Sequence, residues 1–117
     1  MILLIDDDHN GERLQQFCQW FGEDQIVHAT NAKDGYDRLI EKPWDIVFLD
    51  HDLGEGPGDM TMMQLADKIA EEGLQKDADF IVHSMNPVGA ESLKNTLKRT
   101  HNISVVSMRL LAERLKG

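Results

Sequence analysis

The sequence predicts an α/β fold: a doubly wound, five-stranded parallel sheet with the strand order 2-1-3-4-5 and helices on both faces. Five short apolar runs alternate with amphipathic stretches along the chain, which is the pattern of consecutive βα units. The runs at 2–5 and 46–49 are apolar at consecutive positions, as in parallel strands that are covered on both faces. The order 2-1-3-4-5 is common for five such strands, and 117 residues suit a single domain over 1–117.

The first half of the chain supplies three strands and two helices. We predict strands at 2–5, 26–28 and 46–49, where the apolar runs lie. The first helix has one apolar face, with residues spaced i, i+3, i+4 and i+7: Leu14, Phe17, Cys18 and Phe21. Asn31 is a suitable N-cap for the second helix. The apolar positions of that helix are Ala32, Tyr36, Leu39 and Ile40.

The second half begins with a glycine-rich loop and continues with two strands and three helices. Residues 54–59, GEGPGD, suit neither a helix nor a strand. The third helix ends near Gly73 and carries Met62, Leu65, Ala66 and Ile69. Strands at 80–82 and 103–106 flank a fourth helix that carries Ala90, Leu93 and Leu97. A last helix is predicted around Met108, Leu111, Ala112 and Leu115.

The composition favours a cytoplasmic protein that binds metal rather than nucleic acid. The formal net charge is −9, which repels a nucleic-acid backbone, whereas clustered carboxylates suit divalent cations. Cys18 is the one cysteine, so no internal disulfide forms, as expected in a reducing compartment. The sequence shows neither a signal-peptide pattern nor an apolar stretch long enough to span a membrane. We expect no membrane partner and no binding to duplex nucleic acid.

Acidic residues and histidines follow three of the predicted strands. Asp6-Asp7-Asp8 follow the first strand, Asp50-His51-Asp52 the third and His83-Ser84 the fourth. In the predicted order these strands are neighbours, and ligands bind at the switch point beyond the carboxyl ends of strands 1 and 3. A single acid there could simply cap a helix or solvate a turn. Five or six carboxylates at one edge repel one another unless a cation lies between them.

The ligand atoms that these clusters offer narrow the choice of cation. Oxygen-rich sites select magnesium, calcium or manganese, and imidazole shifts the preference toward manganese, iron, zinc or nickel. The sequence therefore predicts a divalent metal cofactor, Mg²⁺ or Mn²⁺ first and Zn²⁺ as an alternative.

The stretch HSMNPVGAE, residues 83–91, has the pattern of an anion site at the start of a helix. Asn86 is a suitable N-cap, and Pro87 suits the first helical position. Backbone N–H groups at Val88 and Gly89 would then face a bound phosphate. The alternative is that Asn-Pro only starts a helix.

These residues resemble the receiver domains of bacterial response regulators. ILLIDDD is similar to their first strand with its acidic pair, here Asp6 and Asp7, and DIVFLD to their third strand with its phosphoacceptor, here Asp50. The resemblance implies a magnesium site and an aspartate that accepts a phosphoryl group. Receivers also carry a lysine after strand 5 that holds this phosphoryl group, whereas Ser107 stands near that position here.

A closer resemblance is to the cyclic-phosphate processing receiver domains, whose motifs are LDHDLG and HSxNPxG. The chain carries LDHDLG at 49–54 and HSMNPVG at 83–89. That family usually has a basic residue soon after its acidic pair. Here DHN at 8–10 follows the pair, and Arg13 comes only later.

Two hypotheses of function follow, and the first is a metal-dependent phosphoesterase acting on a cyclic phosphate or related phosphoester. In it a divalent cation is held by Asp6, Asp7, Asp50 and Asp52. His51 or His83 either serves as a metal ligand or protonates the leaving oxygen, and Asp52 orients the ligand or the water. Phosphate oxygens are held by Ser84, Asn86, Val88 and Gly89. A variant of this chemistry makes Asp50 the nucleophile.

The second hypothesis is an atypical stand-alone receiver that binds metal or phosphate at Asp50 and signals through a partner protein. The expected partners are thus a phosphorylated small molecule or a nucleotide end under the first hypothesis, and a protein under the second. The cations toward the C-terminus are typical of solvated helix faces. A weaker alternative is that they contact an RNA end: Lys94, Lys98, Arg99, Arg109, Arg114 and Lys116.

Overall fold

The computed structural model describes residues 1–7, 11–50, 59–83 and 87–106, and within them it confirms the predicted sheet. The strands are β1 Ile2–Ile5, β2 Ile26–Ala29, β3 Ile46–Leu49, β4 Asp79–Val82 and β5 Asn102–Val105. All neighbours pair in parallel, in the order β2-β1-β3-β4-β5. The strand order that was predicted from the alternation of elements is therefore correct.

Four α-helices are described between these strands, and a 3₁₀ turn, Glu23–Gln25, precedes β2. The helices are α1 Glu12–Phe21, α2 Ala32–Glu41, α3 Met62–Glu72 and α4 Pro87–Leu97. The predicted last helix and residues 54–58 of the predicted loop lie outside the described residues. None of the helices that the structure describes is long and apolar enough to cross a membrane.

The boundaries of three strands differ from the prediction by one residue. β2 continues through Ala29, β4 begins at Asp79, and β5 covers 102–105 rather than 103–106. Asp79 and Asn102 pair in the sheet although they are polar, and the Asn102 side chain donates a hydrogen bond to Asp79. A search for apolar runs misses such positions because the backbone ladder does not depend on apolar side chains.

The helix ends follow local signals in the sequence. Asn31 is the N-cap of α2 as predicted, since its Oδ1 accepts a hydrogen bond from the Asp34 amide at 2.8 Å. Gly73 ends α3 in the left-handed conformation, with φ of 63°. Thr61 and Gln64 form a capping box at the start of α3. These caps fix where the loops at the sheet edge begin and end.

The sheet separates two apolar cores, as expected for helices on both faces. One core packs α2, α3 and α4 against one face of the sheet. The other is smaller and packs α1, through Phe17, against the opposite face. Helix α2 lies close to β1 because Gly35 has no side chain: a Cβ there would be 2.7 Å from Ile5 Cδ1. This contact holds the end of β1, where the acidic residues begin.

Candidate functional site

Asp6, Asp50 and His83 lie side by side because the backbone ladder continues one residue past the strands. The last residues of β1, β3 and β4 are paired in register, and these three residues come directly after them. The Asp6 amide donates to the last carbonyl of β2, Asp50 to that of β1 and His83 to that of β3, each at 3.0 Å. Adjacent strands lie about 4.8 Å apart. The pairing of the strands therefore brings three side chains together that are far apart in the sequence.

The three side chains point to the sheet face that α1 covers. Side chains alternate between the two faces of a strand, so each shares a face with the residue two positions earlier. Those residues belong to the smaller core beneath α1: Leu4, Phe48 and Ile81. Asp6 and His83 are 0% exposed and Asp50 2% exposed. The site is thus a buried polar cluster between the sheet edge and the first turns of α1.

His83 is held inside this cluster by one polar and two aromatic contacts. Its Nε2 donates a hydrogen bond to Asp6 Oδ2 at 2.9 Å. The imidazole packs edge-on against Phe17 and Phe48, with ring centroids 5.6 and 6.0 Å apart. Its Nδ1 has no hydrogen-bond partner among the described residues. The ring is therefore fixed in one orientation, with one nitrogen directed at Asp6.

Arg13, near the start of α1, brings a positive charge to the acids. Its Nη2 lies 3.1 Å from Asp6 Oδ1, 3.8 Å from Asp50 Oδ2 and 3.9 Å from Asp7 Oδ1. The contact with Asp6 is an ion pair rather than an aligned hydrogen bond, since Oδ1 has no hydrogen-bond partner in the described part of the chain. The acidic pair has no basic residue directly after it, and Arg13, the second residue of α1, supplies the positive charge instead.

The surroundings of Asp6 lower its pKa. Burial alone raises the pKa, but the hydrogen bond from His83, the charges of His83 and Arg13, and a hydrogen bond with Asp50 outweigh burial. The folded protein therefore favours the ionised carboxylate of Asp6. An ionised carboxylate is the form that binds a metal ion.

The donor set fits a divalent cation. Asp6, Asp50 and His83 each offer one ligand atom, and these atoms lie within 4.8 Å of one another. The buried Oδ1 of Asp6 has no hydrogen bond to lose when a cation binds, among the residues described. Asp7 lies at the rim with a side chain 16% exposed. Two buried carboxylates with a third beside them match the oxygen ligands that Mg²⁺ and Mn²⁺ prefer.

His28, which the sequence offers only as the end of a strand, also supports the site. Its Nε2 donates a hydrogen bond to the backbone carbonyl of Asp6 at 2.6 Å. Strand β2 lies beside β1, with Leu4 paired to His28, so the ring reaches past the end of β1. No motif marks this histidine, because its function depends on the pairing of two strands and not on its neighbours in sequence.

Replacing His28 by Ala is expected to lower the free energy of unfolding by about 1 kcal/mol, because a partly buried hydrogen bond is lost. We also expect Mg²⁺ to bind several-fold more weakly, since the backbone of Asp6 loses an anchor. Urea unfolding and Mg²⁺ titration calorimetry would measure both. His28→Gln keeps a donor and should retain most of the stability and most of the Mg²⁺ affinity. Equal losses in the two variants would contradict the role of the hydrogen bond.

The other predicted site residues divide into two groups. Val88 and Gly89 occupy the first turn of α4, which begins at Pro87 as predicted. Val88 is 77% exposed, whereas Gly89 is buried. The remaining four lie outside the described residues: His51, Asp52, Ser84 and Asn86.

Solved receiver domains share this fold over nearly the whole chain. The receiver domain of a putative LuxO repressor from Vibrio parahaemolyticus is 18% identical, with a TM-score of 0.69 and 98% of this chain and 82% of that chain covered. The receiver domain of NtrX from Brucella abortus is also 18% identical, with a TM-score of 0.69, and the match covers 99% of this chain and 92% of that chain. The response regulator TrrA from Thermotoga maritima is 26% identical, with a TM-score of 0.66, and the match covers 98% of this chain and 95% of that chain.

The sequence itself matches a more specific family. No curated protein matches the chain. The sequence model of the cyclic-phosphate processing receiver domains matches residues 1–99, which include β1, β3, β4 and every described residue of the buried cluster. The chain therefore belongs to the cyclic-phosphate processing receiver domain family.

Proposed function

We propose that the protein is a metal-dependent phosphoesterase that acts on a cyclic phosphate or a related phosphoester. The observation that carries this proposal is the buried cluster of Asp6, Asp50 and His83 at the switch point of the sheet. A phosphorylation switch needs carboxylates and a metal. It does not need an imidazole that fixes the orientation of one carboxylate, as His83 does for Asp6.

The proposed metal ligands are the carboxylates of Asp6 and Asp50, with Asp7 at the rim and Asp52 as a further ligand. Mg²⁺ or Mn²⁺ suits these oxygen atoms best, with Zn²⁺ as the alternative. The solved structure of TrrA is a complex with Mg²⁺ and BeF, which supports magnesium in this fold. When bound, the ion neutralises a phosphate oxygen and lowers the pKa of a coordinated water.

The residues of the chain have separate tasks in the proposed hydrolysis. The oxygen of water attacks phosphorus and the water loses a proton, one P–O ester bond breaks, and the leaving oxygen takes up a proton. The net change is the addition of one water across that bond. His83 is buried and already bonded to Asp6, so we assign it the orientation of that carboxylate. His51 remains the candidate proton donor, with Asp52 orienting the water. We place the phosphate oxygens at the start of α4, with Ser84, Asn86, Val88 and Gly89.

A second candidate is an atypical receiver that accepts a phosphoryl group at Asp50 and signals through a partner protein. The similarity of the fold to response regulators favours it. Ser107, in place of the receiver lysine, disfavours a long-lived phosphoryl group. A mass increase of one phosphoryl group after incubation with a small phosphodonor would support this second candidate.

The test is product analysis on 2′,3′- and 3′,5′-cyclic nucleotides and on RNA with a cyclic-phosphate end. Each substrate is incubated with Mg²⁺, Mn²⁺ or Zn²⁺. We expect ring opening by the wild type, none by Asp50→Asn, and unchanged turnover by Asp77→Asn, which makes the same charge change at an exposed turn. Metal binding without turnover of any substrate would reject the phosphoesterase and leave the atypical receiver as the remaining candidate.

A further inference from the structure

We propose that the guanidinium of Arg13 occupies the position of the divalent cation in the metal-free protein and that the cation binds by displacing this guanidinium. The proposal rests on the metal dependence of the proposed function and concerns the same carboxylates. It assigns to Arg13 a part in metal binding that no motif indicates.

One terminal nitrogen of Arg13 contacts the acids that a cation would bind. Nη2 lies within 4 Å of an oxygen from each of Asp6, Asp7 and Asp50, and it is nearest to Asp6 Oδ1. That oxygen is buried and accepts no hydrogen bond within the described residues. The guanidinium therefore compensates the charge of the cluster without satisfying the oxygen that a cation would take.

The guanidinium and a divalent cation cannot share this position. A bound Mg²⁺ lies about 2.1 Å from its ligand oxygens, so a cation on Asp6 Oδ1 would lie close to a nitrogen that is 3.1 Å from the same atom. The two positive charges would repel each other at a site that is largely closed to water.

Arg13 can leave, whereas its partners cannot. Its side chain is 34% exposed, while those of Asp6 and Asp50 are 0% and 3% exposed. It is the second residue of α1 and has a long, flexible stem. The carboxylates are held by the strand ladder and by His83. Cation binding is therefore an exchange in which the arginine moves toward solvent.

Because of the exchange, the apparent dissociation constant for metal equals the intrinsic one divided by the fraction of molecules in which Arg13 has already withdrawn. Removing the guanidinium restores the intrinsic affinity. If about one molecule in ten has the open arrangement, Arg13→Gln tightens divalent binding about 10-fold. Arg13→Lys keeps a charge without the planar guanidinium, so its affinity for the divalent cation should lie between those of the wild type and Arg13→Gln.

The experiment is calorimetric titration of chelator-treated protein with Mg²⁺ and Mn²⁺. Arg38→Gln is the matched control, because it makes the same charge change on α2, where Arg38 contacts Asp34 and Glu41. We expect Arg13→Gln to bind about 10-fold more tightly than the wild type and Arg38→Gln within about twofold. Equal or weaker binding by Arg13→Gln would overturn the exchange.

A second measurement on the wild type does not depend on whether the variant folds. The side-chain Nε–H resonance of Arg13 should shift during the Mg²⁺ titration and saturate with the calorimetric affinity. An unchanged resonance would overturn the proposal. Tighter binding by Arg13→Gln without turnover of any phosphoester supports the exchange and rejects the phosphoesterase. Absence of metal binding in every variant rejects both.

Discussion

Asp6→Asn is expected to lower the free energy of unfolding of the metal-free protein by about 3 kcal/mol at pH 7, because it breaks a buried charge pair. Asp6 is fully buried and accepts the hydrogen bond of His83 while it faces Arg13. An asparagine has nearly the same shape but no charge, so Arg13 loses a counter-charge and the hydrogen bond of His83 loses its charged acceptor. Urea unfolding in the presence of a chelator measures the change.

Asp7→Asn is the matched control for this loss. It makes the same substitution at the adjacent position, where the carboxylate is at the rim and lies 3.9 Å from Arg13. We expect a loss below about 1 kcal/mol, as for other partly exposed ion pairs. Equal losses in the two variants would show that the buried pair with His83 does not stabilise the fold.

The effect of Asp6→Asn should depend on pH. The folded-state pKa of Asp6 is below its ordinary value of 3.8. A carboxyl group with a lowered pKa contributes stability that is fully present above the unfolded-state pKa and is lost as the pH falls through the folded-state pKa. The difference between wild type and variant should therefore be constant near neutral pH and decrease below about pH 4. A difference that grows on acidification would contradict this assignment.

The fold could be predicted from the sequence because its signals are local. Strands β1 and β3 are wholly apolar, and the other three strands each carry at least two apolar residues. Each helix has one apolar face or a cap such as Asn31. The topology followed from the alternation of these elements. The errors were confined to strand ends, where polar residues such as Asp79 and Asn102 pair through the backbone.

The site could be predicted only in part, because its details depend on register. The sequence indicated that acids and a histidine meet at one edge, and the structure brings Asp6, Asp50 and His83 together. It did not indicate which member of each cluster points inward, since that depends on the alternation of side chains counted from paired strand ends. Arg13 and His28 reach the site from α1 and β2. The basic residue that the family usually has after its acidic pair points toward Arg13, whereas no motif marks His28.

His83→Phe is expected to weaken Mg²⁺ binding by about 10- to 100-fold, the usual effect of removing a residue that orients a metal ligand. Phenylalanine retains the aromatic contacts with Phe17 and Phe48, which lie edge-on to the imidazole. It removes the donor to Asp6 Oδ2, so a buried oxygen loses its hydrogen bond. The free energy of unfolding should fall by about 3 kcal/mol for that reason.

His101→Phe and His83→Gln separate the positioning of Asp6 from general effects on packing. His101 is also a buried histidine packed edge-on against a phenylalanine, Phe80, but its Nε2 bonds the carbonyl of Leu74. We expect its replacement by Phe to reduce stability and to leave Mg²⁺ affinity within about twofold, because His101 contacts neither Asp6 nor Asp50 among the described residues. His83→Gln keeps an N–H donor and should recover most of the affinity.

If instead Gln and Phe at position 83 weaken Mn²⁺ and Zn²⁺ binding equally while Mg²⁺ binding is unchanged, the imidazole is itself a ligand. The titrations thus decide whether His83 acts on the metal directly or through Asp6.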